Sequence, residues 1–335
     1  VLLSGDGQSV LVPYFDNLAN EIVLHKSDDV GDTFTSWTVA APEGVTLDDA
    51  SYKHFADSTL TTLLFPSGAQ SLLSTDGGET FSVVAHEGYA SNYAAGASDG
   101  QALMLLLYDA NTPSQRINLS IDGGDTWNLI DPDPGHSRIQ AITAGDISDD
   151  GQSIALIGNV AGADEGVALA SADGGATWSY QAGYTDANWF LLGRVSLTSD
   201  AALAYASGFN IVYQSDDAGA SWTLLTEAGG VTAISEDAAV QAYIPQNGDV
   251  EGFNVQLSTD GGATFTPGPE IAAFSLGAIA VAGSGTLAGV IAYAGDLWLS
   301  GAPVPPYEPV YCLDVTPFTA PGKTPQSGGP ADAPH

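Results

Sequence analysis

Ser120-Ile121-Asp122-Gly123-Gly124-Asp125-Thr126-Trp127 is one of six near copies of a single eight-residue phrase, and reading it decides the fold. The other copies are SDDVGDTF from Ser27, STDGGETF from Ser74, SADGGATW from Ser171, SDDAGASW from Ser215 and STDGGATF from Ser258. Successive copies start 47, 46, 51, 44 and 43 residues apart, so the phrase marks one structural unit repeated along most of the chain.

Its chemistry is that of a tight turn. Glycine at the fifth position (Gly31, Gly78, Gly124, Gly175, Gly219, Gly262) takes positive φ at no steric cost. The aspartate at the third position (Asp29, Asp76, Asp122, Asp173, Asp217, Asp260) accepts hydrogen bonds from nearby backbone amides. The closing aromatic (Phe34, Phe81, Trp127, Trp178, Trp222, Phe265) opens the next strand and offers a large apolar surface to a neighbouring unit. These local demands account for all six aspartates as structural staples rather than catalytic groups or metal ligands. A period in the forties, with several short strand-like runs per unit, is the pattern of a β-propeller.

The phrase S-x-D-x-G-x-[TS]-[WF] resembles the Asp-box, or bacterial neuraminidase repeat, over nearly the whole chain apart from its C-terminal tail. The resemblance implies a hairpin turn between the third and fourth strands of each blade. Working outward from the boxes, residues 1–40 read as a first blade, followed by blades over about 46–86, 89–130, 137–182, 188–227 and 230–268. A second recurring turn, as in Ser4-Gly5-Asp6-Gly7-Gln8 and Ser148-Asp149-Asp150-Gly151-Gln152, precedes each box and marks the inner hairpin. A seventh blade follows with runs 275–282, 286–293 and 296–300, where Ser300-Gly301-Ala302-Pro303 stands in place of a box. Its fourth strand comes either from 310–315 or from chain upstream of Val1. The expectation is therefore an all-β fold, a seven-bladed β-propeller of four-stranded antiparallel blades over 1–315. Residues 316–335 follow as an extended C-terminal tail rich in Pro and Gly.

Composition narrows the partners. Forty acidic residues stand against six basic ones, Lys26, Lys53, Arg116, Arg138, Arg194 and Lys323, for a net charge of −34. Such a surface repels nucleic acid and anionic membranes, and no apolar run approaches a membrane span. It suits a secreted or surface-exposed protein in a saline medium, or one whose partner is basic or cationic. The chain starts at Val1 without a charged or apolar leader, as a matured secreted product would. Cys312 is the single cysteine, which excludes an internal disulfide and leaves an intermolecular one open.

In a propeller the boxes and inner turns share one face, and the loops on the other face are where ligands are sought. There Tyr89, Tyr93, Tyr184 and Trp189 stand among Asp and Asn residues, a mixture suited to sugar rings or to a protein partner. His136 and Arg138 join this candidate set, and Arg138 with Arg194 near the innermost strands offers a carboxylate or sulfate site. The Asp-box resemblance also brings sialidases to mind, but the arginine-bearing F/Y-R-I-P motif is absent and the chain has three arginines in all. The histidines show no metal-binding spacing, and no nucleophile elbow or phosphate loop appears. Asp131–His136 and Asp146–Asp150 are oxygen-rich, the donor type calcium takes, but neither has the EF-hand spacing and both read as solvated turns. No catalytic residue, metal or cofactor is assigned. The leading reading is a non-catalytic propeller serving as an interaction platform or structural subunit of an extracellular assembly. The alternative is a carbohydrate-active protein, a lectin or glycoside hydrolase, using the loop face. A third reading, from the resemblance alone, is an assembly factor of the photosystem II stability type.

Overall fold

The computed structural model describes residues 2–29, 33–47, 53–86, 88–109, 115–133, 139–160, 165–184, 189, 192–208, 211–226, 232–234, 241–243, 253–258, 264–271, 276–281, 287–292, 297–301 and 311–313. Those residues form seven four-stranded antiparallel sheets, each a meander in chain order. The first runs Leu2–Leu3, Val10–Asp16, Glu21–Ser27 and Thr35–Ala40. The second runs Phe55–Ala56, Leu63–Ser67, Gln70–Ser74 and Ser82–Ala85. The third has Ala90–Gly96, Leu103–Tyr108, Gln115–Ser120 and Asn128–Ile130, and the fourth Ile139–Ile147, Ile154–Val160, Gly166–Ser171 and Ser179–Tyr184. Leu192–Leu197, Ala204–Gly208, Ile211–Ser215 and Thr223–Thr226 make the fifth. Thr232–Ile234, Gln241–Tyr243, Phe253–Ser258 and Thr266–Ile271 make the sixth. The seventh is Leu276–Val281, Leu287–Ala292, Leu297–Gly301 and Tyr311–Leu313, so its fourth strand comes from the chain's own C-terminal side. Leu2–Leu3 packs beside Leu276–Val281, bringing the first sheet against the last. Residues 314–335 lie outside the described set.

The middle strands are continuous apolar runs because neighbouring blades cover both of their faces. Leu63–Ser67 and Gly166–Ser171 are buried at every position, whereas Ser179–Tyr184 on the outer edge is exposed along nearly its whole length. The core accordingly lies between blades: Leu11, Ile22 and Leu24 of the first pack with Leu63, Phe65 and Leu72 of the second.

Five copies of the recurring turn share one hydrogen-bond pattern; Gly31 of the first of them, and the copy at Asp260, lie outside the described residues. In the copy at Ser120, the serine hydroxyl donates to Asp122 Oδ1 (2.8 Å) and accepts from the Gly124 amide (2.8 Å). Thr126 donates both its amide (2.9 Å) and its hydroxyl (2.6 Å) to the Asp122 carboxylate. These bonds hold the carboxyl groups of Asp29, Asp76, Asp122, Asp173 and Asp217 below the ordinary carboxylate range.

The fifth-position glycine meets a second demand that φ alone does not reveal. A Cβ on Gly124 (φ +96°) would stand 2.2 Å from Leu73 Cδ2 of the preceding blade, and one on Gly78 (φ +89°) 2.3 Å from Leu24 Cδ1. Its carbonyl is bonded too. Trp127 and Trp178 donate their indole N–H to the carbonyls of Gly124 and Gly175 in their own turns, both at 3.0 Å. The second copy closes with Phe81, which has no donor, and there Trp37 of the first blade supplies the bond to Gly78 at 3.0 Å. Trp222 in the fifth copy departs from the pattern: its indole nitrogen is buried without a hydrogen-bond partner.

The inner turns form a second set. Ser4, Asp57, Ala97, Ser148 and Thr198 each donate their amide to the carbonyl five residues on, and each accepts from the amide three residues on. That latter residue has positive φ in every case: Gly7, Leu60, Gly100, Gly151 and Ala201. The residue after each turn start links one blade to the next. Gly5 donates to the Ser58 carbonyl (2.7 Å), Ser58 to the Ser98 carbonyl (2.8 Å), Ser98 to Asp149 Oδ1 (2.8 Å) and Asp149 to the Ser199 carbonyl (3.4 Å). A hydrogen-bonded belt thus runs around the channel mouth across five blades.

Candidate functional site

The innermost strands of a propeller line its central channel. Four polar residues from four consecutive blades converge there: Lys53 ahead of the second blade's first strand, Tyr93 in the third, Asp146 in the fourth and Arg194 in the fifth. Lys53, Tyr93 and Arg194 occupy equivalent places, each four residues before its inner turn begins at Asp57, Ala97 and Thr198. The fold therefore brings them to one level of the channel. An isolated bridge pairs Lys53 with Tyr93, whose backbones exchange bonds through Asn92 and Ala94. The Lys53 ammonium donates to the Tyr93 hydroxyl and lies 4.2 Å from the centre of its ring. Asp146 Oδ2 accepts from the Leu197 amide at 2.8 Å, tying the fourth blade to the fifth.

Lys53, Asp146 and Arg194 keep partial access to solvent while protein encloses them, as befits groups on a channel wall. Their titration reflects that setting. Burial, reinforced by the Arg194 charge and opposed by Asp146, lowers the Lys53 ammonium to about 7. Burial also pushes Asp146 up to about 6 against the pull of Lys53, the Leu197 amide and Arg194. Tyr93 is held above the usual phenol range, first by burial and then by the Asp146 charge. Arg194 is lowered by burial, with Tyr93 and Asp146 opposing. Away from the channel, Lys26 pairs with Asp28 at 2.9 Å and Arg116 with Asp131 at 3.0 Å near the surface.

Of the residues singled out from sequence, the structure joins Tyr93 and Arg194 in this cluster, and Tyr93 belongs to the channel wall rather than to the loop face. Lys53 and Asp146 were missed, although the shared position of Lys53, Tyr93 and Arg194 relative to the inner turns is a signal present in the sequence. Tyr184 and Trp189 correct the expectation of ligand-facing aromatics. They stack on each other at 3.9 Å with planes 8° apart, and Trp189 is 1% exposed. The Trp189 indole donates to the Gly158 carbonyl (3.0 Å), and the Tyr184 hydroxyl accepts from the Trp222 amide (3.0 Å). Gly166 makes room for the stack, since a Cβ there would be 1.8 Å from Trp189 Cδ1. A tryptophan beside Asp and Asn reads as a surface residue, but the apolar seam between the fourth and fifth blades outweighs its neighbours. Tyr89 packs half-buried against the seam of the second and third blades. His136 and Arg138 lie outside the described residues.

Among the described residues of the two oxygen-rich stretches, the carboxylates take separate partners. Asp131 is engaged by Arg116, while Asp146 faces the channel, Asp149 takes Ser98 of the neighbouring blade and Asp150 takes Ser148 and Gln152 of its own turn. Among the described residues no group of three His, Cys, Asp or Glu side chains is placed to hold a metal ion. No helix among them is long and apolar enough to cross a membrane.

A second feature lies on the rim. Two residues after the closing aromatic, on the outermost strands of blades two to five, stand Val83, Leu129, Tyr180 and Leu224, exposed by 38, 42, 38 and 44%. Those four strands, Ser82–Ala85, Asn128–Ile130, Ser179–Tyr184 and Thr223–Thr226, contain no charged residue although the chain carries 46 of them.

No protein-family model and no curated protein matches this chain. Solved structures do. Hydrazine synthase of Kuenenia stuttgartiensis superposes with a TM-score of 0.63 at 10% identity, over 90% of this chain and 94% of that one. The Cps50 (Swd1) β-propeller domain of Myceliophteria thermophila gives 0.54 at 9% identity, over 84% and 92%. The Niastella koreensis GH74 enzyme gives 0.44 at 15% identity over 90% of this chain, which spans 63% of that longer one. At such identities the likeness bears on architecture alone, and together with the seven meander sheets it makes this chain a β-propeller.

Proposed function

We propose that the protein is a seven-bladed Asp-box propeller that acts without catalysis as a secreted interaction platform, a subunit of an extracellular protein assembly. The observation that carries this reading is the rim: exposed apolar side chains at one equivalent position on four consecutive blades, on edge strands free of charge. Unpaired strand edges without charged side chains are open to association, which monomeric proteins ordinarily guard against. The remaining surface carries the acidic excess, so the partner that fits is a protein presenting apolar groups flanked by basic ones. The turn pattern around Asp29, Asp76, Asp122, Asp173 and Asp217 supports membership of the Asp-box propellers. The carbohydrate reading draws less support, because Trp189 and Tyr184, two of the four aromatics on which it relied, are spent on packing.

The test is the native mass of the protein from its source, with and without reductant, beside that of Leu129→Asp and Tyr180→Asp. A heteromer or oligomer that dissociates in the rim variants supports the platform. A monomer unaffected by these substitutions rules it out and makes a glycan screen the next step.

A further inference from the structure

Proteins guard the outer edge of a sheet with short strands, bulges, prolines or charges, because unpaired backbone there accepts another strand. Of the seven outer strands described, six carry such a guard. Those of the second, third and seventh blades have only four, three and three residues. Register shifts break the pairing of the fourth at Gly166/Val167 and of the fifth at Val212/Tyr213. The sixth has a shift of its own and also holds Pro267, Pro269 and Glu270. Thr35–Ala40 of the first blade has none of these devices. Its six residues pair with Glu21–Lys26 in unbroken register, and Thr35, Ser36, Thr38 and Ala40 are exposed. Threonine, valine and tryptophan favour the extended backbone. The strand is also pinned: Ser36 Oγ bonds with His25 Nδ1 at 2.6 Å, and the Trp37 indole with the Gly78 carbonyl of the second blade. No described strand pairs with its outer edge.

We infer that Thr35–Ala40 takes up an extended strand of a partner protein, which becomes a fifth strand of the first blade. Main-chain hydrogen bonds supply the affinity of such an addition. The flanks define the occupant. Exposed carboxylates stand on either side of the strand, Asp29 before it and Glu43 after it, while Lys26 is already paired with Asp28. The strand that fits therefore carries Lys or Arg at both of its ends. A second copy of this chain lacks that match: antiparallel pairing of the edge with itself brings Asp29 of one copy toward Glu43 of the other, between chains of net charge −34 each. The site goes beyond the rim of blades two to five, and shares with the platform reading only the premise of a protein partner.

The probe is a fluorescein-labelled peptide, Lys-Val-Thr-Val-Thr-Val-Lys, titrated into the full chain by fluorescence anisotropy, with backbone hydrogen exchange followed by mass spectrometry. The expected result is one peptide per chain, bound more weakly as salt rises, with exchange slowed in Thr35–Ala40 and unchanged in Ser82–Ala85. Glutamate in place of both peptide lysines is expected to weaken binding about tenfold or more. Thr38→Pro, which puts one of the edge-guarding residues into the strand, should do the same. Because proline also disturbs its own blade, Glu43→Lys serves as a second variant at an exposed position outside the strand; it should weaken binding about threefold at low salt and keep the wild-type melting temperature. Leu18→Ser, at a 95% exposed apolar residue of the same blade, is the control and should bind as the wild type does. Absence of binding, slowed exchange elsewhere than Thr35–Ala40, equal affinity for the glutamate peptide, or wild-type affinity in both Thr38→Pro and Glu43→Lys would each overturn the assignment. A dimer of the chain alone that Thr38→Pro dissociates would give the edge to a second copy and overturn it too. A native assembly that Leu129→Asp dissociates, from a chain that ignores the peptide, refutes the added strand and leaves the platform standing. Peptide bound at Thr35–Ala40 by a chain that is monomeric in its source supports the added strand and removes the rim.

Discussion

The repeated turns and the seams between blades solve the same problem of burying polar backbone in opposite ways. In a turn, Ser120, Asp122, Gly124 and Thr126 satisfy one another within seven residues, and the other described copies do likewise. At a seam, each contact is made once and joins residues far apart in sequence, as when Trp37 reaches Gly78 or Trp189 reaches Gly158. Local and redundant on one side, long-range and single on the other, the two regions differ in how much one side chain matters.

The contrast is sharpest at Trp189. Truncating it to Ala empties the seam between the fourth and fifth blades and removes the indole bond to the Gly158 carbonyl and the ring stacked on Tyr184, at an expected cost of about 3–5 kcal/mol in urea unfolding. A loss below about 1 kcal/mol, the size typical of surface positions, would erase the distinction. Gly124→Ala tests a residue that belongs to both regions. Its positive φ alone predicts about 1–2 kcal/mol, the loss expected for Gly44→Ala, where a Cβ meets nothing within 4 Å. The contact with Leu73 of the neighbouring blade raises the expected loss to about 2–4 kcal/mol. Equal losses at the two glycines would mean that the seam yields.

Acid should act on the seams as well. His54, wedged between Phe15 and Phe65 of adjacent blades at 5.0 Å from each ring, and His86 are both lowered by burial to about 4. A histidine lowered in the folded state binds fewer protons there than in the unfolded chain, so stability falls as pH drops from about 6.5 toward 4, by up to ~3 kcal/mol per group. Asp146, raised to about 6, works in the opposite sense over part of that range. The informative quantity is therefore the difference between the wild type and His54→Leu, which should lose its share of the acid slope; parallel profiles would place His54 outside the seam. Smaller still are the indole bonds. Trp37→Phe and Trp127→Phe should each cost about 1 kcal/mol, because one serves the Gly78 carbonyl across a seam and the other Gly124 within a turn. Trp222→Phe, which discards a buried donor without a partner, should be near neutral or stabilising.

The same contrast explains what could be read from the chain alone. The boxes were legible because their chemistry closes on itself: the serine, aspartate, glycine and threonine that define the phrase are the atoms that bond. Counting them gives six of the seven sheets; the seventh carries no box, and its final strand at Tyr311–Leu313 is one of the two sources that the sequence left open. The channel cluster was only half legible. Tyr93 and Arg194 stood out by residue type, whereas Lys53 and Asp146 gain meaning from partners 40 and 48 residues away, at a register set by the inner turns. Trp189 misled because polar neighbours in sequence say little about a ring that leaves them to fill the space over Gly166.

Because each sheet takes its four strands from one uninterrupted stretch, the first between Leu2 and Ala40 and the last between Leu276 and Leu313, no blade waits for a distant segment to complete it. A nascent chain can therefore finish one blade before the next has been synthesised, laying each against its predecessor, with only the junction of first and last left until the end. Cutting the chain in any inter-blade loop and joining the old termini would keep every strand beside its hydrogen-bonded neighbours, so the ring should tolerate circular permutation at several points.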